Sequence, residues 1–215
     1  MNESPHVIKC VGLQPCSMAD LSRAVAILKS GGVVAFPTET YYGLAVDPFN
    51  PLALNHLFVL KQRDINKPIL TLADDRKSLL NLVQSIPAQY IPLMDKFWPG
   101  PLTLIFKAKL NLPALLTAGT STIGVRQSSH PFARQLLRAF GKPITATSAN
   151  ISGHRAPIDA FEVKKQFGGK IDLIFDGGKT LGTGGSTIVK LEGNKLTLVR
   201  EGVISFADIM QVSNP

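Results

Sequence analysis

Three short polar segments hold most of the side chains in this chain that could do chemistry. The first, Phe36-Pro37-Thr38-Glu39-Thr40-Tyr41-Tyr42-Gly43-Leu44, packs hydroxyls, one carboxylate and two tyrosines together. The second is Lys61-Gln62-Arg63 and the third Thr147-Ser148-Ala149-Asn150. Lys67, Arg126 and Arg200 add cations at the ends of other apolar runs. Arginine forks suit carboxylate and phosphate oxygens, while lysine acts as a compact charge. Ser148 and Asn150 can donate to phosphate or sugar oxygens. Such a set can hold anions and neutralise charge. Each cation alone is an ordinary solvated charge; five at element ends point to one composite site. Glu39 could orient a lysine or a metal-bound water, or cap a loop. No Gly-x-Ser-x-Gly elbow and no Gly-x-x-x-x-Gly-Lys-Ser/Thr loop is present. The run Gly182-Thr183-Gly184-Gly185-Ser186 reads as a turn, with a phosphate-approaching loop as the alternative. The histidines His6, His56, His130 and His154 are scattered, and His130-Pro131 reads as a helix start.

The elements that must position these residues alternate between strand and helix, the pattern of an α/β domain. Ser17 with Asp20 predicts a helix N-terminus, Leu21, Ala24, Val25 and Leu28 share a face, and Gly31 ends the helix. A strand over Val33 to Phe36 then empties into the first polar segment, where α/β proteins keep their chemistry. Asn50-Pro51 opens a helix that delivers Lys61 and Arg63 near its end. Further strands are expected at Ile69 to Leu72, Leu102 to Phe106, Ile123 to Arg126, Ile144 to Thr147 and Leu173 to Phe175. Further helices are expected at Lys77 to Val83, Tyr90 to Phe97, Pro131 to Phe140 and near Phe161 to Phe167. Thr187 to Leu191 and Leu196 to Arg200 form a hairpin through Gly193-Asn194. Hairpins beside crossover helices predict a mixed sheet.

The 215 residues suffice for one well-buried core. The chain is 45% hydrophobic and 18% charged, an ordinary globular composition. A net charge of +8 favours anionic partners such as nucleotides, phosphates or RNA, with a merely basic surface as the bland alternative. Cys10, Cys16 and His6 match no standard zinc spacing, and the cysteines read as reduced thiols of a cytosolic protein. No window holds the ~18 uncharged apolar residues of a membrane span. The start, Met1 to His6, lacks the pattern of a signal peptide, so the cytoplasm is the default.

Several of these segments, in this order, resemble the YrdC-type threonylcarbamoyl-AMP synthases. The resemblance runs from about Met18 to Gly202. Its carriers are the Pro37 to Leu44 loop, Lys61-x-Arg63, Phe97-Trp98-Pro99-Gly100-Pro101-Leu102-Thr103, Val125-Arg126, Ser148-x-Asn150 with Ser152-Gly153, Ser186-Thr187 and Arg200. The pairing of Lys-x-Arg with Ser-x-Asn separates this family from paralogues that lack it. The resemblance implies a twisted mixed parallel and antiparallel α/β sheet with a large concave basic cavity, in a single domain over 1–215. It implies condensation of L-threonine, bicarbonate and ATP to threonylcarbamoyl-AMP and pyrophosphate, with magnesium accompanying ATP and no protein metal site. Other proteins then transfer the threonylcarbamoyl group to tRNA beside the anticodon, and a weak tRNA contact is allowed. By the same resemblance Lys61, Arg63, Ser148 and Asn150 carry catalysis. Thr40, Arg126 and Ser186 hold threonine, with backbone help near Ala146 and Arg126 on the carboxylate. Arg63, Lys67, Thr122, Ser148, Asn150 and Arg200 line the nucleotide side. Asp64, Lys67, Leu72 and Ala156 depart from the usual pattern, which puts individual contacts at issue. The short stretch after Arg200 implies a short form of the enzyme.

Two other readings compete. An RNA-binding module would use the basic concavity without catalysis, but stacked bases call for exposed aromatics on a strand face. The chain has one Trp and three Tyr, and Trp98 sits in a structural Pro-Gly context. A carbamoyl-adenylate-forming relative that uses carbamoyl phosphate belongs to much longer chains with zinc-finger segments.

Overall fold

In the computed structural model, which describes residues 6–10 and 16–213, the helices that begin at Ser17, Asn50, Asp75, His130 and Asp159 are each capped by that residue's side chain. Strand β1 (His6–Lys9) precedes α1 (Met18–Lys29), whose N-cap Ser17 accepts from the Asp20 N–H. Next come β2 (Val34–Pro37), β3 (Tyr42–Ala45) and α2 (Pro51–Lys61). Asn50 caps α2 by accepting from the Leu52 and Ala53 N–H groups, and Pro51 fills the first turn, where no N–H partner is needed. Then follow β4 (Thr71–Leu72), α3 (Arg76–Leu79), a 3₁₀ turn (Ala88–Tyr90), α4 (Ile91–Phe97), β5 (Leu102–Lys107), α5 (Ala114–Thr117), β6 (Thr122–Arg126) and α6 (Pro131–Phe140). The chain continues through β7 (Ile144–Thr145), β8 (Thr147–Ser148), α7 (Ala160–Phe167), a second 3₁₀ turn (Gly168–Lys170), β9 (Leu173–Asp176), β10 (Thr187–Glu192), β11 (Lys195–Arg200) and α8 (Phe206–Ser213).

The strands form two mixed sheets. One is five-stranded, in the order β1-β9-β2-β3-β8; the other is six-stranded, in the order β11-β10-β5-β6-β4-β7. In the first, β2 runs parallel to β9 and antiparallel to β3. In the second, β10 runs parallel to β5, and β5 antiparallel to β6. The mixed α/β class expected from the sequence holds, but as two sheets. The strand expected over Ile144 to Thr147 breaks at Ala146: β7 pairs with β4 in the six-stranded sheet and β8 with β3 in the five-stranded one. Ala146 is the crossing point, anchored by its N–H to the Leu70 carbonyl at 2.8 Å.

Helices α1 and α6 cover one face of the five-stranded sheet, where Leu28, Val34, Phe36, Phe132, Leu136, Leu173 and Phe175 form a cluster. A larger cluster, including Tyr42, Leu54, Leu57, Tyr90, Leu104, Phe106 and Val125, fills the rest of the interior. Each such side chain, fully buried, contributes about 1.5–3 kcal/mol relative to exposure.

Four elements went unforeseen. β1 is a four-residue edge strand and α5 a four-residue helix, both too short for periodicity to declare them. β3 lies inside the polar segment read as a loop. α8 carried a legible cap, since Ser205 Oγ accepts from the Asp208 N–H. The helix expected at Lys77 to Val83 is only Arg76–Leu79. Cys10 and Cys16 are not separate thiols: they form a disulfide with Cα atoms 5.6 Å apart, because β1 beside β9 brings Cys10 to the entry of α1. Of the hexapeptide read for a leader, Met1 to Pro5 lie outside the described residues. No described helix is long and apolar enough to cross a membrane.

Candidate active site

A cavity of about 280 Å³ opens at the seam between the two sheets. The five-stranded sheet contributes Tyr42, Gly43, Thr147 and Ser148, preceded in the chain by Thr38, Thr40 and Tyr41. The six-stranded sheet contributes Thr71, Leu72, Arg126 and Arg200, with Ser186 just before β10. Ala146, where the chain crosses between sheets, is itself part of the wall. Three arginines, Arg63, Arg126 and Arg200, face one carboxylate-bearing residue, Glu201, whose Oε1 is engaged by the Phe206 N–H. The lining contains no histidine, cysteine or lysine.

Arg126 ends β6 and is 6% exposed. Its Nη1 donates to Glu39 Oε1 at 2.7 Å and to Thr40 Oγ1 at 3.3 Å. The second Glu39 oxygen accepts from the buried Ser128 hydroxyl. Burial lowers the Arg126 pKa, Glu39 opposes that, and Arg200 adds a smaller lowering. Glu39 thus orients an arginine, rather than a lysine or a metal-bound water. His130 caps α6, its Nδ1 accepting from the Phe132 N–H at 3.2 Å, so the helix-start reading holds.

α2 ends at Lys61, and Gln62 turns the chain left-handed at φ 50°. That turn sends Lys61 into the interior and brings Arg63, one residue beyond the cap, to the cavity. Arg63 is braced by the carbonyls of Lys67 and Pro68, at 3.2 and 2.8 Å. Lys61 is 1% exposed and does not line the cavity. Its Nζ donates to the Ser148 carbonyl and, at 2.6 Å, to the Asn150 carbonyl. Burial, with a smaller push from the Arg63 charge, lowers its pKa from 10.5 to about 7. Asn150 turns inward as well: Nδ2 donates to the carbonyls of Ile151 and His154, and Oδ1 is buried without a partner among the described residues. Ser148 alone of this pair faces the cavity. Lys61 and Asn150 therefore shape the segment that presents it.

The end of the glycine run, Gly185 and Ser186, is part of the cavity wall. The Gly182 N–H donates to the Thr40 carbonyl at 3.1 Å, and the Tyr41 hydroxyl to the Gly182 carbonyl at 3.1 Å. Ser186 Oγ shares a 2.7 Å hydrogen bond with Thr103 Oγ1, and Arg200 Nη2 donates to the Ser186 carbonyl at 2.7 Å. The Trp98 to Leu102 turn braces this wall: Gly100 N–H meets the Gln127 carbonyl and Thr187 N–H meets the Pro101 carbonyl. Trp98 is structural, its Nε1 donating to the Leu102 carbonyl. Gly202 packs so closely that an added Cβ would lie 2.6 Å from Ser186 C and 2.7 Å from Thr187 N, and against the Gly185 carbonyl. All three are backbone atoms and cannot rotate away. Gly202→Ala is therefore expected to cost roughly 1–3 kcal/mol of stability and to weaken use of every ligand that touches Ser186 or Arg200. Melting curves and substrate titrations check this; wild-type values for both would show that the wall yields freely.

Of the residues proposed from the sequence, Thr40, Arg63, Arg126, Ala146, Ser148, Ser186 and Arg200 converge on the cavity. Thr122 does not: it opens β6, at the opposite end from Arg126, with its hydroxyl on that of Thr120 at 2.9 Å. Lys67 is exposed outside the lining and serves Arg63 through its backbone carbonyl. Asp64 caps its own turn by accepting from the Asn66 N–H. Leu72 and Ala156 line the cavity as apolar surface. Sequence reasoning missed Thr38, Tyr41 and Thr71 as lining residues and Ser128 as a partner of Glu39. The first two sat inside the motif already singled out, whereas Ser128 had no signal beyond following Arg126.

Two mixed sheets meet at a seam that holds an arginine-lined, hydroxyl-rich cavity, a lining whose donors suit anionic groups. The family description Sua5_yciO_yrdC, "Telomere recombination", matches residues 26–202, and the chain belongs to that family. It is 36% identical to the threonylcarbamoyl-AMP synthase of Pyrococcus abyssi (strain GE5 / Orsay) over 88% of its length, and 38% identical to that of Bacillus subtilis (strain 168) over 91%. It spans just over half of those relatives, 56% and 57% of their lengths. It is also 35% identical, over 85% of its length, to the synthase of Vibrio cholerae serotype O1 (strain ATCC 39541), of which it covers 97%. The crystal structure of P. abyssi Sua5 complexed with L-threonine superposes with a TM-score of 0.91 at 33% identity, over 96% of this chain and 60% of that one.

Proposed function

We propose that this chain is a threonylcarbamoyl-AMP synthase, condensing L-threonine, bicarbonate and ATP for the threonylcarbamoyl modification of tRNA next to the anticodon. The observation that carries the reading is the convergence of Arg63, Arg126 and Arg200 on one hydroxyl-lined cavity, in a chain similar to proteins of that name. In this reaction the threonine amine and bicarbonate form a carbamate with loss of water. A carbamate oxygen then attacks the α-phosphorus of ATP, the bond to the β-phosphate breaks, and pyrophosphate leaves. The substrates supply both nucleophile and leaving group, so the protein acts by positioning and charge neutralisation.

Arg126 takes the threonine carboxylate, with Thr40, Ser186 and the Ala146 backbone around it. Arg63, Ser148 and Arg200 face the nucleotide, and Lys61 and Asn150 hold the Ser148 segment in place. Lys67 and Thr122 have no role in this reading. Magnesium enters as the MgATP substrate; among the described residues no three His, Cys, Asp or Glu converge to hold it separately. The reading also takes residues 1–215 as one domain in the cytoplasm, with tRNA threonylcarbamoyl-transfer proteins downstream and a weak tRNA contact.

Pyrophosphate release is expected only when ATP, threonine and bicarbonate are all present. A coupled pyrophosphate assay with each component omitted in turn checks this. Release at the same rate without threonine would mean an ATP hydrolase instead.

A further inference from the structure

Resting on that assignment, we propose that Glu39 is the positioning residue of the carboxylate-binding site, acting through Arg126. Arg126 is almost wholly buried, yet it lines the cavity. Among the described residues every hydrogen bond it donates leaves from Nη1, to Glu39 Oε1 and Thr40 Oγ1. The Nη2 and Nε groups, the two that make a bidentate fork on a carboxylate, have no protein acceptor among the described residues. A guanidinium is planar, so fixing one terminal nitrogen from behind fixes the plane of the fork.

Glu39 is itself fixed. Its Oε1 is on Arg126 and its Oε2 on Ser128, whose backbone lies two residues beyond Arg126. Ser128 is fully buried, and its hydroxyl also accepts from the His130 N–H at 3.2 Å, at the start of α6. The chain of contacts runs from a helix N-terminus through a hydroxyl and a carboxylate to the guanidinium. Glu39 does not line the cavity, so it acts on the ligand only through Arg126.

Two consequences follow from this placement. A fork oriented in advance binds without first losing rotamer freedom. The Glu39 charge also compensates Arg126 before any ligand arrives, which keeps a buried cation in place without an anion in the cavity. Glu39→Gln keeps the size and one acceptor but removes the charge that orients the fork.

The test uses the full chain and measures threonine binding by calorimetry, competition by L-threonine amide, and KM for threonine and for ATP. In the wild type, threonine is expected to bind far more tightly than its amide. In Glu39→Gln, threonine affinity is expected to fall by about tenfold or more, as for loss of a charge-assisted contact. Preference over the amide should collapse, while KM for ATP stays within about twofold, since Glu39 acts only on the Arg126 fork. Ser128→Ala, which removes only the hydroxyl behind Glu39, is expected to shift threonine in the same direction by a smaller factor; it serves if Glu39→Gln does not fold. Threonine affinity and amide discrimination at wild-type values in folded variants would overturn the proposal, as would an equal rise in both KM values. Failure of the synthase assignment reads out separately, as wild-type protein that releases no threonine-dependent pyrophosphate.

Discussion

Arg126→Lys is expected to lose threonine affinity by at least about tenfold while ATP affinity changes little, although the charge is kept. A lysine offers one ammonium where the arginine offers a fork, and it cannot hold Glu39 and a second carboxylate in one plane. Arg126 also has a structural partner, because it is ion-paired with Glu39 at 2.7 Å inside the protein. Arg126→Ala should therefore destabilise the fold by about 3–5 kcal/mol, the cost of leaving one member of a buried pair alone. Arg126→Lys should fall well short of that. Calorimetric titration with threonine and with ATP, beside a melting curve, separates the two roles. Unchanged threonine binding with a lowered Tm would leave Arg126 only the structural one.

Lys61→Met is expected to be nearly as damaging, without any contact to ligand. The substitution strands the buried Asn150 carbonyl, at about 1–3 kcal/mol, and removes the partner of the part-buried Ser148 carbonyl. It also frees the segment that presents Ser148, so catalytic turnover should fall with stability. The pH dependence identifies the cause. The folded pKa of Lys61, about 7, lies below the ordinary 10.5, so between those values the unfolded chain binds more protons than the folded one. Stability from this group therefore rises with pH across that window, and its penalty is fully present below pH 7. Wild-type Tm should gain on that of Lys61→Met between pH 6 and pH 9. A constant difference would show that Lys61 keeps an ordinary lysine pKa.

Much of the site was legible because its residues sit where periodic elements stop. Arg126 closes an apolar strand, Arg200 closes a hairpin, and Pro51 and Gln62 bracket a helix, all local signals. What stayed hidden depends on contacts distant in sequence. Lys61 carries a chemically suggestive side chain, but whether it faces a ligand or a backbone carbonyl is decided by a partner 89 residues away. Thr122 and Arg126 share one strand, and only the placement of the cavity at one end separates them. The split of one apolar run into β7 and β8 also leaves no local trace, since Ile144 to Thr147 reads as continuous strand.

The crossing at Ala146 also bears on where this chain can change length. Side chains in a strand alternate faces, so one residue gained or lost between Thr145 and Thr147 would reverse every side chain on one flank. Either β7 would leave its register with β4, or Ser148 would turn away from the cavity, with the carbonyl that Lys61 holds. No turn residue is there to absorb the shift. The hairpin tip at Gly193 is exposed, and nothing meets a Cβ built there, so it can take up extra residues without disturbing either sheet. Lengthening by genetic drift or by engineered insertion thus has a permissive address at Gly193-Asn194 and a forbidden one at the sheet-to-sheet step.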